Sequence, residues 1–314
     1  MRYPTSPAGR FGGVHTIMPT PFKPAGELDL PSLERLTNFL IGLGVDGLVV
    51  LGVLGEAPKL TEEERDAVLR TTVAAAAGRV PVCAGAGGAG TGMALDRGKR
   101  MLALGASGLL VAPPPVQNDA VIRTYYQRHD EALGAPIIIH DYPSATGITL
   151  GAELVVELHE KLPSVVVIKL EETPSLPKVS KLRALGSNIG IVGGLGGGFL
   201  LEELMRGADG IMTGFSYPEV LVEVVSAWHA GDTQRAKAAF YAACPLIRYE
   251  FQPGIGLAIR KEIYRRRGAI ASAFVRHPGA QVDTFIGAEL DSVVAACGLA
   301  GDGKRVAEAL GVNL

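Results

Sequence analysis

Cysteine is scarce in this chain. The 314 residues contain three, Cys83, Cys244 and Cys297, far apart and in no metal-binding spacing. That pattern excludes a disulfide framework, offers no zinc site and fits a reducing compartment, so the cytoplasm is the expected location. Charge of one sign is also lacking. Thirty Lys and Arg against 32 Asp and Glu leave a formal charge of -2, and neither nucleic acid nor an anionic membrane is an expected partner. The most basic run, RKEIYRRR from Arg260 to Arg267, has helical spacing and an internal Glu262. It reads as a solvated or interface helix face. No run approaches the ~18 uninterrupted apolar residues of a membrane span. The opening MRYPTSPAGR lacks the apolar centre of a signal peptide.

What is present is a rhythm. Short β-branched runs at 13–20, 46–52, 81–87, 107–113, 136–141, 164–170, 189–194 and 209–214 alternate with helix-like stretches. Those stretches lie near 31–43, 62–77, 91–104, 118–132, 151–161, 175–185, 198–206 and 217–230. The second opens on Thr61-Glu62-Glu63-Glu64, a capping box. The strand candidates are almost wholly apolar, as in a parallel sheet covered on both faces. Eight such units predict a closed (β/α)8 TIM barrel over residues 1–230. A doubly wound open sheet competes, but it usually carries GxGxxG after its first strand, and here PTPFKP follows. Beyond 230 the strand signal stops. Helices are predicted over 232–250, 254–267, 286–299 and 303–311, forming a C-terminal annex (231–314) packed on the barrel.

A barrel of this kind works at the C-terminal ends of its strands. Lys169 ends the run Val165-Val166-Val167-Ile168, where a solvated lysine is out of place. By alternation Val165, Val167 and Lys169 share one face. If Val167 faces inward, Lys169 reaches the mouth, where burial would favour the neutral amine needed to attack a carbonyl. Otherwise Lys169 reaches solvent or pairs with Glu171 or Glu172. His140 closes the run PIIIHD and can both take and give a proton near neutrality; it could equally be structural. Asp141 should point the other way and act as a structural acceptor.

Three motifs in register carry a resemblance. GVDGLVVLGVLGEAPKLTEEER is similar to the signature segment of the dihydrodipicolinate synthase/N-acetylneuraminate lyase family, Gly-Thr/Ser-Thr-Gly-Glu before a helix start. IIIHDYPSATG resembles its Tyr-Asn-x-Pro-x-x-Thr-Gly motif, and VVVIKLEET its Gly-x-Lys segment. The likeness continues through GADGIMTG to the annex. It implies a metal-independent barrel that binds pyruvate or another 2-keto acid as an imine on Lys169, needs no other cofactor and forms a homo-oligomer, dimer or tetramer.

Departures are equally informative. His140 stands where the family has its tyrosine. Val53 and Leu54 replace the two threonines, and the second tyrosine of the synthases falls within Pro113 to Pro115, at Pro115. Ala145 replaces their substrate arginine. Backbone N–H groups near Val53 and Leu54 would still hold the substrate carboxylate, and Val53, Leu54, Pro114 and Pro115 would give an apolar mouth. By resemblance Gly194 and Ile211 line the keto-acid pocket and Glu56 is structural. Glu171 matches the offset at which the related 2-keto-3-deoxyarabonate dehydratases place a glutamate. It is either the base that removes the C3 proton or an ion-pair partner positioning Lys169. The run Gly193-Gly194-Leu195-Gly196-Gly197-Gly198 has no basic residue near it before Arg206, so a phosphate site is disfavoured.

The expected activity is therefore a Schiff-base lyase, aldolase or dehydratase, with Lys169, His140 and Glu171 as catalytic residues. A dihydrodipicolinate synthase with a degenerate proton relay and a keto-acid-binding barrel without turnover are the alternatives.

Overall fold

Each apolar run forms a strand because both of its faces find cover. The structure, a computed structural model, describes residues 8–299. Strands β1 (Gly13–Ile17), β2 (Gly47–Val50), β3 (Val82–Gly85), β4 (Gly108–Val111), β5 (Ile137–Asp141), β6 (Val165–Leu170), β7 (Gly190–Gly193) and β8 (Gly210–Thr213) pair in chain order. All neighbours are parallel, and β8 closes on β1. Around them lie α1 (Leu30–Gly42), α2 (Glu62–Ala76), α3 (Thr91–Ala103), α4 (Asp119–Leu133), the single turn α5 (Pro143–Thr146), α6 (Ala152–Lys161), α7 (Ser175–Ala184), α8 (Leu200–Met205) and α9 (Pro218–His229). Helices α10 (Thr233–Glu250), α11 (Gly256–Arg266) and α12 (Thr284–Ala296) follow. The fold is the expected (β/α)8 barrel with a C-terminal helical extension. The helix expected over 303–311 lies outside the described residues.

Alternation along the strands builds two apolar layers. Ile17, Val49, Leu110, Ile138, Val167 and Met212 fill the barrel. Leu48, Ile139, Ile168, Leu170, Ile191 and Ile211 pack outward against the helices. His140 is two residues beyond Ile138 and turns inward; Asp141 follows Ile139 and turns outward. One step of the alternation argument needs correcting. The β5–β6 register shifts between Ile137 and Ile138, which pair with Val165 and Val167. This bulge puts Val165 in the outer layer while Val167 stays inside. Lys169 still faces inward, counted from Val167.

The basic run also differs from its expected solvated face. Arg265 and Arg266 are exposed, but Arg260 and Glu262 are buried and Lys261 is 0% exposed. Lys261 donates to Glu56 Oε1 and sits 4.6 Å from the centroid of Phe22. A buried ammonium needs such a partner. Helix α11 is thereby pinned to the turn after β2. Among the described residues, no helix is long and apolar enough to cross a membrane.

Candidate active site

Parallel pairing places His140 of β5 beside Lys169 of β6. Just past the end of β6, the Glu171 amide donates to the Asp141 carbonyl at 2.8 Å. That bond prolongs the ladder and holds the Glu171 side chain on the same face as Lys169. Lys169 Nζ lies 2.8 Å from Glu171 Oε2, and His140 Nε2 lies 2.8 Å from the same oxygen. Lys169 Nζ and His140 Nε2 are 3.4 Å apart. The other oxygen, Glu171 Oε1, accepts from the Leu195 amide at 2.9 Å. All three side chains are buried, with residue exposures of 5% for Lys169 and 8% for both His140 and Glu171.

Electrostatics follow from this packing. Burial acts to raise the Glu171 pKa, but the Lys169 charge and the His140 hydrogen bond outweigh it and hold the carboxyl well below its usual range. Burial pulls His140 down from its ordinary value, the Lys169 charge pulls the same way, and Glu171 opposes both. A neutral imidazole beside an ionised carboxylate donates through Nε2–H, leaving the Nδ1 lone pair free. Tyr142 stacks on His140 at 5.6 Å between ring centroids and 24° between planes. Asp141 points outward, with Oδ2 accepting from Lys178 Nζ at 2.6 Å. Burial pushes its pKa up to about 6 against the pull of Lys178.

The three groups face a cavity of about 590 Å³, a volume typical of small-molecule sites. Val53 and Leu54, in the turn after β2, form one wall. Among the described residues no acceptor faces the amide of Val53 or Leu54. The turn itself is held from several sides. Thr20 Oγ1 donates to the Gly55 carbonyl at 2.7 Å. Glu56, in left-handed backbone with φ 56°, takes Lys261, Lys59 and the Arg276 amide.

Gly194, Ile211, Pro114 and Pro115 are not brought to the cavity wall. Ile211 lies in the outer apolar layer. Gly194 is covered by Glu171, whose carboxyl would collide with any Cβ there. The rest of the glycine run makes room in the same way: Gly193 for Glu203 and Gly196 for Phe251. Sequence reasoning missed the annex wall, where Phe251, Leu257 and Arg260 face the cavity. The one signal was an arginine directly after the apolar Leu257-Ala258-Ile259, which the charge-run reading absorbed. Among the described residues, no group of three or more His, Cys, Asp and Glu could hold a metal ion.

A buried lysine at the mouth of a (β/α)8 barrel, in contact with a carboxylate and an imidazole, defines a class of protein: carbonyl chemistry through an amine nucleophile. The sequence agrees. Residues 10–297 match the dihydrodipicolinate synthetase family, and the chain belongs to that family. It is a lyase that acts through a Schiff base on pyruvate or a related 2-keto acid. It is 33% identical over 294 residues to the L-2-keto-3-deoxyarabonate dehydratase of Azospirillum brasilense, covering 91% of this chain and 94% of the relative. It is 34% identical over 241 residues to the 4-hydroxy-tetrahydrodipicolinate synthase of Sorangium cellulosum, covering 74% and 79%. The crystal structure of dihydrodipicolinate synthase from Rhodopseudomonas palustris superposes with a TM-score of 0.88 at 35% identity, covering 93% of this chain and 98% of the other. A prophage protein of the same family from E. coli K12, solved in complex with pyruvate, gives 0.85 at 26%, covering 92% and 99%.

Proposed function

We propose that the enzyme dehydrates a 2-keto-3-deoxy sugar acid through an imine on Lys169. The observation that carries this reading is the shared oxygen, Glu171 Oε2, in contact with both Lys169 and His140. Lys169 attacks C2 as the neutral amine, the carbonyl oxygen leaves as water and an iminium remains. The iminium makes the C3–H bond acidic. Glu171 takes that proton, the bonding pair forms an enamine, and the enamine expels the C4 hydroxyl, which leaves as water after protonation by Glu171 or His140. A second water adds at C2 and frees the lysine and an unsaturated 2-keto acid. The amides of Val53 and Leu54 hold the C1 carboxylate. The Azospirillum dehydratase, by its name, acts on an acid of this class.

The enzyme needs no metal and no cofactor beyond the imine, and works in the cytoplasm as a homo-oligomer. The test has two parts. Borohydride reduction in the presence of pyruvate should leave a covalent adduct on Lys169; an unmodified mass rejects the mechanism. A panel of 2-keto-3-deoxy acids is then assayed for dehydration and for pyruvate release. Pyruvate release alone assigns an aldolase, and binding without turnover assigns a keto-acid-binding barrel.

A further inference from the structure

Arg260 reaches the cavity from the annex, on α11. Its residue exposure is 5%. One anion neutralises it: Nε lies 3.2 Å from Glu250 Oε2. The N–H is not aimed at that oxygen, so Nε is buried without a hydrogen-bond partner. Among the described residues, no group accepts from either terminal nitrogen of Arg260. Glu250 itself is 0% exposed and fixed, since it accepts from both the hydroxyl and the amide of Ser216. Gly256 leaves the space that the guanidinium occupies: a Cβ there would lie 3.1 Å from Arg260 Nη1.

A guanidinium has five donors in a fixed fork. Here Nε is enclosed, and the four donors on the terminal nitrogens lack a protein acceptor and face the cavity. A ligand that filled this end with carbon would strand them, and a stranded buried donor costs more than a lost contact. The ligand must therefore bring oxygens to this wall. Glu250 decides which kind. Burial pushes its pKa up to about 7 against the pull of Arg260, so at pH 8, where trapping is read, it supplies the countercharge and a second carboxylate would set two anions on one cation. Neutral hydroxyls accept without that cost.

We infer that Arg260 is a specificity-determining residue that donates to hydroxyl groups on the substrate beyond C3, so that this site selects polyhydroxylated 2-keto acids over plain or dicarboxylic ones. The inference rests on the imine reading above, which supplies the anchored end of the same ligand.

Three acids of equal chain length separate the possibilities: 2-keto-3-deoxypentonate, 2-oxopentanoate without the tail hydroxyls, and 2-oxoglutarate with a tail carboxylate. The readout is the half-saturating concentration for borohydride trapping on Lys169, in wild type, Arg260→Lys and Arg260→Met. The wild type should favour the hydroxylated acid by about 10- to 100-fold, the range of one hydrogen bond to a charged group. That preference should fall to a few-fold in Arg260→Lys, which keeps the charge but loses the fork, and vanish in Arg260→Met. Equal trapping of the first two acids by wild type, or tighter trapping of 2-oxoglutarate, would overturn the assignment while leaving the imine intact. So would an undiminished preference in Arg260→Met or, where that variant does not fold, in Arg260→Lys. Failure of wild type to trap any of the acids would remove the imine reading and this inference with it.

Discussion

Two donors converge on one oxygen at Glu171, and the consequences are residue-sized. Glu171→Gln keeps the side-chain shape and its acceptor for the Leu195 amide but cannot take a proton. Exchange of pyruvate C3 protons with deuterated solvent should slow by about 10²–10⁴-fold, the usual contribution of a general base, while the borohydride adduct still forms. His140→Ala should cost about tenfold under the same assay if the imidazole only assists; a larger loss than in Glu171→Gln would make His140 the base. The pH profile tests the same pair. Burial lowers the His140 pKa and the Lys169 charge helps hold Glu171 ionised, so the acid limb of exchange should lie below pH 6.5, the ordinary value of a free imidazole. A limb centred at or above 6.5 contradicts the packing. Much of this trio was readable beforehand. Period-two alternation put Lys169 and His140 on inward faces, and a two-residue offset put Glu171 beside Lys169. What alternation could not show is the Glu171 amide bonding to Asp141, which aims the carboxylate at both partners.

At the scale of elements, two features have measurable consequences. Helix α2 begins with a complete capping box: the Glu64 amide donates to Thr61 Oγ1, and the Thr61 amide donates to the Glu64 carboxylate. Thr61→Ala should cost about 1 kcal/mol in chemical denaturation. On α8, Glu203 is 1% exposed, and Ser175 Oγ donates to it at 2.7 Å. Its other oxygen, Oε2, has no partner. Burial pushes its pKa up to about 7, with Glu171 adding to the rise and Ser175 opposing it. The folded state therefore holds this proton where the unfolded state has released it. Stability from this group is full below pH 4.5 and is lost as pH rises through 7, by about 3 kcal/mol in all. Glu203→Gln should flatten that slope, and urea midpoints at pH 5 and pH 8 would show it; an unchanged slope rejects the assignment. The capping box was legible as Thr61-x-x-Glu64. The glycines that admit Glu203, Glu171 and Phe251 were visible as a cluster, but not as receptacles, because the side chains they admit come from three other elements.

At the scale of the whole molecule, a buried ion pair locks annex to barrel. Lys261 on α11 meets Glu56 in the turn after β2, 205 positions away in sequence. Burial lowers the Lys261 pKa to about 8 although Glu56 opposes the shift. Lys261→Met should destabilise the fold by about 3 kcal/mol, because Glu56 loses a buried partner while keeping Lys59. Adding Glu56→Gln to that variant should recover part of the loss, measurable as a double-mutant cycle. Additive costs would mean that the pair does not couple the two regions. The same lock holds the turn that carries Val53 and Leu54, so Lys261→Met should also weaken keto-acid trapping.

The sequence by itself determined the barrel, its eight strands, the strand-end position of Lys169 and the family. Those features rest on local patterns: apolar runs, alternation and motifs read within a few residues. Only the tertiary structure decided the rest. It split the RKEIYRRR run into a cavity arginine, a buried lysine and two surface residues, removed Gly194 and Ile211 from the cavity wall, and aimed Glu171 between His140 and Lys169. These depend on which distant side chain fills which space, and a buried charge reveals its role only through the partner that neutralises it.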